Sequence, residues 1–220
     1  MLDALIDKIG NGLLQLLGLA ALGAIALAAV WLKRKITDLL TKHMVVEEIQ
    51  NGQKITELLV EIRLACKADR VSIYLFHNGE HYINGSSILR ISGAYETVAA
   101  GIATQRGNTQ NVLISTVPEA VAFLVKPRPK DAVAMTHTSE LEPGFYRAAL
   151  EAQGVRAVAK YPLYKASDII GFICADFVQK DVQEDHGDLD IIKTHAPRLE
   201  LYLHETKKVS LWRKLFGARK

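Results

Sequence analysis

The sequence predicts an α+β fold that begins with a membrane-spanning helix, and three observations carry this prediction. Residues 13–32 form a run without a charged side chain. Apolar residues then recur at helical spacing as far as Cys66. From residue 67 onward, stretches with strand periodicity alternate with helical stretches, which is typical of an antiparallel sheet with flanking helices.

The run at 13–32 has the length needed to cross a bilayer. At about 1.5 Å per residue it gives a helix of about 30 Å, the thickness of the hydrocarbon core. A cleaved signal peptide is the alternative, but the basic cluster follows the run instead of preceding it. We therefore expect an N-terminal segment, 1–12, and a transmembrane helix, 13–32. Its predicted membrane-interface residues are Trp31, Lys33, Arg34 and Lys35.

Small side chains recur along this predicted membrane helix. Ala20, Ala24 and Ala28 are four residues apart, and Gln15 is the one polar residue of the run. Small residues let membrane helices approach closely, and a polar side chain hydrogen-bonds between them. We therefore expect these residues to mediate association into a homo-oligomer. The alternative is that alanine is simply common in membrane helices.

Residues 33–66 form the predicted helical connector. Asn51 and Gly52 interrupt its pattern, so two helices and one kinked helix are both compatible with the sequence. A solvated stalk and a helical interface between subunits both remain open. The apolar positions at helical spacing are Ile55, Leu58, Leu59, Ile62, Ala65 and Cys66.

The α+β domain is expected over residues 67–206. Its first strand alternates β-branched and aromatic residues and ends at Asn78 and Gly79. Pro118 suits the first turn of a helix, and Gly154 suits the end of another. The predicted strands are 70–76, 88–95, 157–163 and 169–178, and the predicted helices are 112–125, 139–152 and 188–205.

Charge is distributed unevenly along the chain. The formal net charge of +3 combines +3 from residues 33–43 and +6 from residues 207–220 with an acidic remainder. Because positive charge is concentrated at the flanks, we expect no nucleic-acid partner. Trp212 and Phe216 lie four residues apart within the basic tail 207–220, which favours a short helix at a membrane interface. A solvated basic tail is the alternative.

The segments 154–163 and 168–176 carry a resemblance to a known fold. The first is a small residue, a strand and Pro162-Leu163, and the second is a hydrophobic strand that contains Gly171. This order resembles the GAF/PAS-like fold over about residues 54–205. The resemblance implies that a ligand pocket could lie near residues 77–87.

A second resemblance concerns the layout of the whole chain. Residues 66–76, 161–164 and 170–173 are similar to the T-even-type phage holins, which combine one N-terminal anchor with a small α+β domain. This resemblance implies a host inner-membrane protein that oligomerises, forms lesions that release endolysin, sets lysis timing and responds to an antiholin. The alternative function is a membrane-anchored GAF-like sensor or scaffold that binds a small molecule or a partner protein.

The family resemblance and the distribution of basic residues predict opposite orientations of the anchor. The holin resemblance implies a periplasmic C-terminal domain, as in that family. Basic residues near the anchor favour a cytoplasmic one, because more of them follow the anchor than precede it. These residues are Lys8 on one side and Lys33, Arg34, Lys35 and Lys42 on the other.

The segment from His77 to His81 matches the H-x-x-E-H pattern of a zinc protease. That chemistry needs both histidines on one helix face, whereas Asn78 and Gly79 directly after a strand are typical of a turn. We therefore expect no metal site, no cofactor and no enzymatic activity. His77, Asn78, Gly79 and His81 are instead a candidate ligand loop, with a purely structural loop as the alternative.

The two cysteines, Cys66 and Cys174, have two interpretations. Two buried thiols are expected in a reducing compartment. In the periplasm the same residues could form a disulfide. Their redox state would therefore report the orientation of the domain.

Overall fold

The computed structural model describes residues 2–125, 132–179 and 188–205, without the side chains of 2–17, 39–44 and 204–205. The chain comprises two compact units, residues 1–49 and 50–220. Three 3-10 turns, Ile114–Thr116, Ala122–Leu124 and Thr138–Glu140, connect longer elements. The helices are α1 Leu2–Ala65, α2 Pro118–Val121, α3 Phe145–Ala152 and α4 Asp190–Glu205, and the strands are β1 Arg70–His81, β2 Ser87–Val98, β3 Val112–Leu113, β4 Ala134–His137, β5 Ala157–Lys165 and β6 Asp168–Phe177.

The predicted membrane anchor, 13–32, lies within α1, so the prediction of a helix there is confirmed. The prediction of a transmembrane, single-pass helix is wrong: in the described part of the chain, no helix is both long and apolar enough to cross a bilayer.

The backbone stays helical through Asn51 and Gly52, which corrects the predicted interruption of the connector. The two residues cost helix stability, at most about 1 kcal/mol for the glycine. The turns that follow bury Ile55 and Leu58 completely or almost completely. Burial of such a side chain contributes about 1.5–3 kcal/mol, so tertiary packing outweighs the local preference.

The six strands form one antiparallel sheet in the order β3-β2-β1-β6-β5-β4. β1 and β6 are central, and Ile73 of β1 lies opposite both Tyr95 of β2 and Ile173 of β6. Successive side chains of a strand point to opposite faces. One face of the sheet therefore carries Val71 and Ile73, and the other carries their neighbours at even positions.

The apolar face packs against the C-terminal part of α1 and against α4. The predicted helical spacing is confirmed, because five of its six positions are buried and only Ala65 is not. The α4 side chains in this cluster include Ile192, Ala196 and Leu199. The opposite face of the sheet does not belong to this cluster. The buried connector positions are Ile55, Leu58, Leu59, Ile62 and Cys66.

Several predicted bounds differ from the structure. β1 continues to His81, so Asn78 and Gly79 lie in a strand, and the turn falls at 82–86 with Gly85 at φ +81°. The predicted helix 112–125 is a two-residue strand, short 3-10 turns and α2. The predicted helix 139–152 begins only at Phe145. Pro143 explains part of this, because it disfavours helical backbone in the residue before it.

Candidate ligand-binding site

A cavity of about 600 Å³ lies on the face of the sheet that α4 does not cover. β1 and β6 supply its floor, and segment 105–117 and helix α3 supply its walls. Small-molecule sites have volumes of about 300–1,000 Å³ and are mostly apolar with a few polar groups. The cavity has the size and lining of such a site.

The antiparallel register places the floor residues side by side. Arg70 lies opposite Asp176, and Tyr74 lies opposite Phe172. Cys174 lies between Phe172 and Asp176 on β6, at the same parity. Because alternate residues share a face, all five side chains point toward the cavity that they line.

A buried ion pair occupies the floor. Arg70 donates from Nε to Asp176 Oδ2 over 2.7 Å, and its Nη2 lies 2.6 Å from the same oxygen. Nη2 also donates to Gln153 Oε1 over 2.6 Å, and Nη1 donates to the Ala103 carbonyl over 3.3 Å. Burial alone would lower the pKa of Arg70, but the charge of Asp176 raises it above its ordinary value. Arg70 is therefore a permanent cation whose charge Asp176 balances.

Glu96 links this ion pair to the cavity wall. Its carboxylate lies 4.0 Å from Arg70 Nε. It accepts hydrogen bonds from the Thr104 hydroxyl and from the backbone N–H groups of Gln105 and Arg106. A single carboxylate thus ties the loop before β3 to the sheet.

Aromatic rings form the apolar part of the site. Tyr74 and Phe172 stack with centroids 5.1 Å apart, and Phe123 meets Phe172 edge-on at 5.5 Å. The hydroxyls of Tyr74 and Tyr146, both lining the cavity, have no hydrogen-bond partner among the described residues. Burial raises the pKa of both phenols well above the ordinary value, so they are neutral donors at physiological pH.

Two further polar side chains lie on the cavity face. Cys174 Sγ donates to Asp176 Oδ1 over 3.1 Å, and burial together with that carboxylate raises the pKa of the thiol. Lys160 Nζ donates to the Ala120 carbonyl over 2.8 Å and lies 4.6 Å from the Tyr146 ring centroid. Burial lowers the pKa of Lys160. The thiol is thus held protonated, and the amine lies behind the wall instead of lining the cavity.

The predicted ligand loop does not line this cavity. His77, Asn78, Gly79 and His81 lie at the far end of β1, where His77 Nε2 is 2.9 Å from Ser92 Oγ. No cluster of potential metal ligands exists in the described part of the chain. The structure therefore brings together a different set of residues from the one that the motif indicated.

The two cysteines are free and buried on opposite faces of the sheet. Cys66 packs in the cluster with α4, whereas Cys174 packs on the cavity side. They are thus two separate thiols and not a disulfide.

The predicted membrane residues belong to the first unit or to the tail. Ala20, Ala24 and Ala28 are exposed, and Lys35 Nζ lies 4.9 Å from the Trp31 ring. Lys33 and Arg34 are also exposed. Gln15, Trp212 and Phe216 lie outside the described side chains. Association through these residues stays a prediction.

The sequence contained a signal for the cavity floor that motif reading missed. Arg70, Lys160 and Asp176 are charged residues within strands whose other positions are mostly apolar. Charged residues are rarely buried unless they are paired. Arg70 and Asp176 are paired across two strands 106 residues apart in sequence, so periodicity alone could not join them.

Comparison with known proteins identifies the fold but not the family. Neither a family model nor a curated protein matches the chain. A red/green cyanobacteriochrome in its red-light-absorbing state matches with a TM-score of 0.50 and 16% identity, over 72% of this chain and 97% of that one. The α+β unit has a GAF-like fold. This confirms that part of the fold prediction.

Two further solved structures are similar at lower scores. The phycocyanobilin-bound GAF domain of a cyanobacterial phytochrome has 17% identity and a TM-score of 0.48, over 76% of this chain and 93% of that one. The blue-light-absorbing GAF domain of Thermosynechococcus elongatus PixJ has 20% identity and a TM-score of 0.47, over 78% and 97%.

The assignment to phage holins, with host-cell lysis and cytolysis, is wrong. The structure that matches with a TM-score of 0.50 is a cyanobacteriochrome, and the anchor on which the holin layout depended is not found among the described helices. The short similar segments, 66–76, 161–164 and 170–173, cover the start of β1 and parts of β5 and β6 of the GAF-like sheet. Their alternating apolar residues are required by any such sheet, which explains why they suggested an unrelated family.

Proposed function

We propose that residues 50–220 act as a sensor domain that binds a small molecule in the cavity above β1 and β6. The observation that carries this proposal is the cavity itself: about 600 Å³, lined by aromatic side chains and by two phenol hydroxyls without a hydrogen-bond partner among the described residues. The GAF-like fold of light sensors supports the proposal but does not identify the ligand.

The arrangement of the cavity favours binding over catalysis. A nucleophile must be activated by a nearby base or by a lowered pKa. The thiol of Cys174 has a raised pKa instead, and its proton is held by Asp176. The polar floor therefore acts as a fixed hydrogen-bonding surface and not as reacting groups.

Fluorescence of phenylnaphthylamine, an uncharged probe that becomes bright in apolar sites, tests the proposal. Ala149 of α3 lines the cavity, whereas its neighbour Ala148 is exposed and does not. We expect Ala149→Trp to fill the cavity and abolish saturable binding, and Ala148→Trp to leave binding unchanged. Equal binding by the two variants, with both folded by circular dichroism, would show that the probe does not occupy the cavity and would refute the proposal.

A further inference from the structure

The charged groups around the cavity are already paired by the protein. Asp176 accepts hydrogen bonds from the Arg70 guanidinium and from the Cys174 thiol. Each of the three guanidinium nitrogens of Arg70 donates to an acceptor in the protein. Glu96 accepts hydrogen bonds from the backbone N–H groups of Gln105 and Arg106 in the cavity wall. Lys160, behind the wall, donates to the Ala120 carbonyl. Among the described residues, a ligand that enters therefore meets no cation without a hydrogen-bond acceptor in the protein.

The other basic residue of the lining, Arg90, has an acceptor in the protein backbone. In the β1–β2 register it lies opposite His77, one step from the pair formed by Ile91 and Phe76. Ile91 belongs to the apolar cluster on the cavity side, so the side chain of Arg90 leaves on the other face. There it donates from Nη1 to the Asn111 carbonyl and lies against Gly79, which has no Cβ to obstruct it.

The groups left open to a ligand are neutral. Among the described residues they include the hydroxyls of Tyr74 and Tyr146 and the amide nitrogen of Gln153, whose oxygen is used by Arg70. Burial of an anion without a cationic partner is strongly unfavourable, whereas a neutral ring with one hydrogen-bonding group meets no such cost.

From this we infer that the cavity selects an uncharged, ring-containing ligand with a hydrogen-bonding group and rejects anions. The inference rests on the proposed sensor function and adds the chemical class of its ligand. The ligand ring would lie against the Tyr74–Phe172 stack, and its polar group would face the phenol hydroxyls.

A matched pair of probes tests the inference. Phenylnaphthylamine and anilinonaphthalene sulfonate share one ring system and differ by the sulfonate charge. Micelles of the uncharged detergent dodecyl maltoside serve as the reference. The ratio of the two probes' affinities for these micelles reflects the difference in hydrophobicity alone. We expect the protein to favour the uncharged probe at least tenfold more than the micelles do.

A charge change in the floor provides the second arm. Asp176→Asn keeps the side-chain shape and removes the nearer counter-charge of Arg70, leaving only the Glu96 carboxylate at 4.0 Å, so we expect the affinity for the sulfonate to rise at least tenfold relative to the uncharged probe. The double variant Arg70→Met/Asp176→Leu removes both charges and should keep the preference for the uncharged probe. If Asp176→Asn does not fold, the comparison with micelles still tests whether the protein prefers the uncharged probe.

The outcomes separate the two proposals. A preference in the protein no stronger than that of the micelles, or an unchanged probe ratio in folded Asp176→Asn, would overturn the inference and leave the sensor function standing. Failure of both probes to bind, or binding that Ala149→Trp does not remove, would overturn the sensor function and the inference with it.

Discussion

Replacement of Arg70 by methionine is the most direct perturbation of the buried floor. The change removes two charged contacts to Asp176, at 2.6 and 2.7 Å, and leaves a carboxylate that is 3% exposed. Each charge-assisted hydrogen bond contributes about 1.5–3 kcal/mol. The loss of one partner of a buried pair costs about 3–5 kcal/mol. The two figures agree, and we expect the free energy of unfolding to fall by about 3–5 kcal/mol.

Urea unfolding followed by circular dichroism measures this effect, with the slope of the transition compared between proteins. The control is Arg70→Met combined with Asp176→Leu, since replacement of a buried pair by apolar residues is often neutral or stabilising. The double variant should therefore recover most of the lost stability. If the single variant loses less than about 1 kcal/mol, or if the effects of the two substitutions simply add, the carboxylate does not depend on Arg70 and the reasoning is refuted.

Three further predictions concern stability. Cys66 has its pKa raised from 9.0 to about 11, so its stabilising contribution is complete below pH 9 and is lost as the pH rises through 11. Between pH 9 and pH 11 the free energy of unfolding of the wild type should fall by about 2–3 kcal/mol more than that of Cys66→Ser, measured by urea unfolding at both pH values. Gly171→Ala should cost about 1–3 kcal/mol because its Cβ would overlap the Tyr74 carbonyl, whereas Gly107→Ala, with open space around it, should change little in the same assay. Asp69 accepts the N–H groups of Val178 and Gln179, so Asp69→Ala should lower the thermal midpoint more than Asp69→Asn, and equal midpoints would contradict this role.

The elements that could be predicted are those whose residues repeat at a fixed spacing. The buried positions from Ile55 to Cys66 follow the helical repeat, and the start of β1 follows the strand repeat. Asn51-Gly52 and Asn78-Gly79 show where the local reading fails. Both pairs are typical breaks, but in this fold one lies within a helix and the other within a strand, because packing and ladder hydrogen bonds outweigh a local preference of about 1 kcal/mol.

The sequence by itself determined the α+β class, the helix that covers one face of the sheet, and the GAF-like order of the final hairpin. Only the tertiary structure decided the site. Arg70 and Asp176 are 106 positions apart, and Tyr146 comes from a helix between them in sequence. Spacing along a chain records contacts within one element, whereas a cavity is formed by strand pairing and loop packing between distant elements. Thus the histidine motif, which was conspicuous in the sequence, lies outside the cavity, and the inconspicuous charges within the strands form its floor.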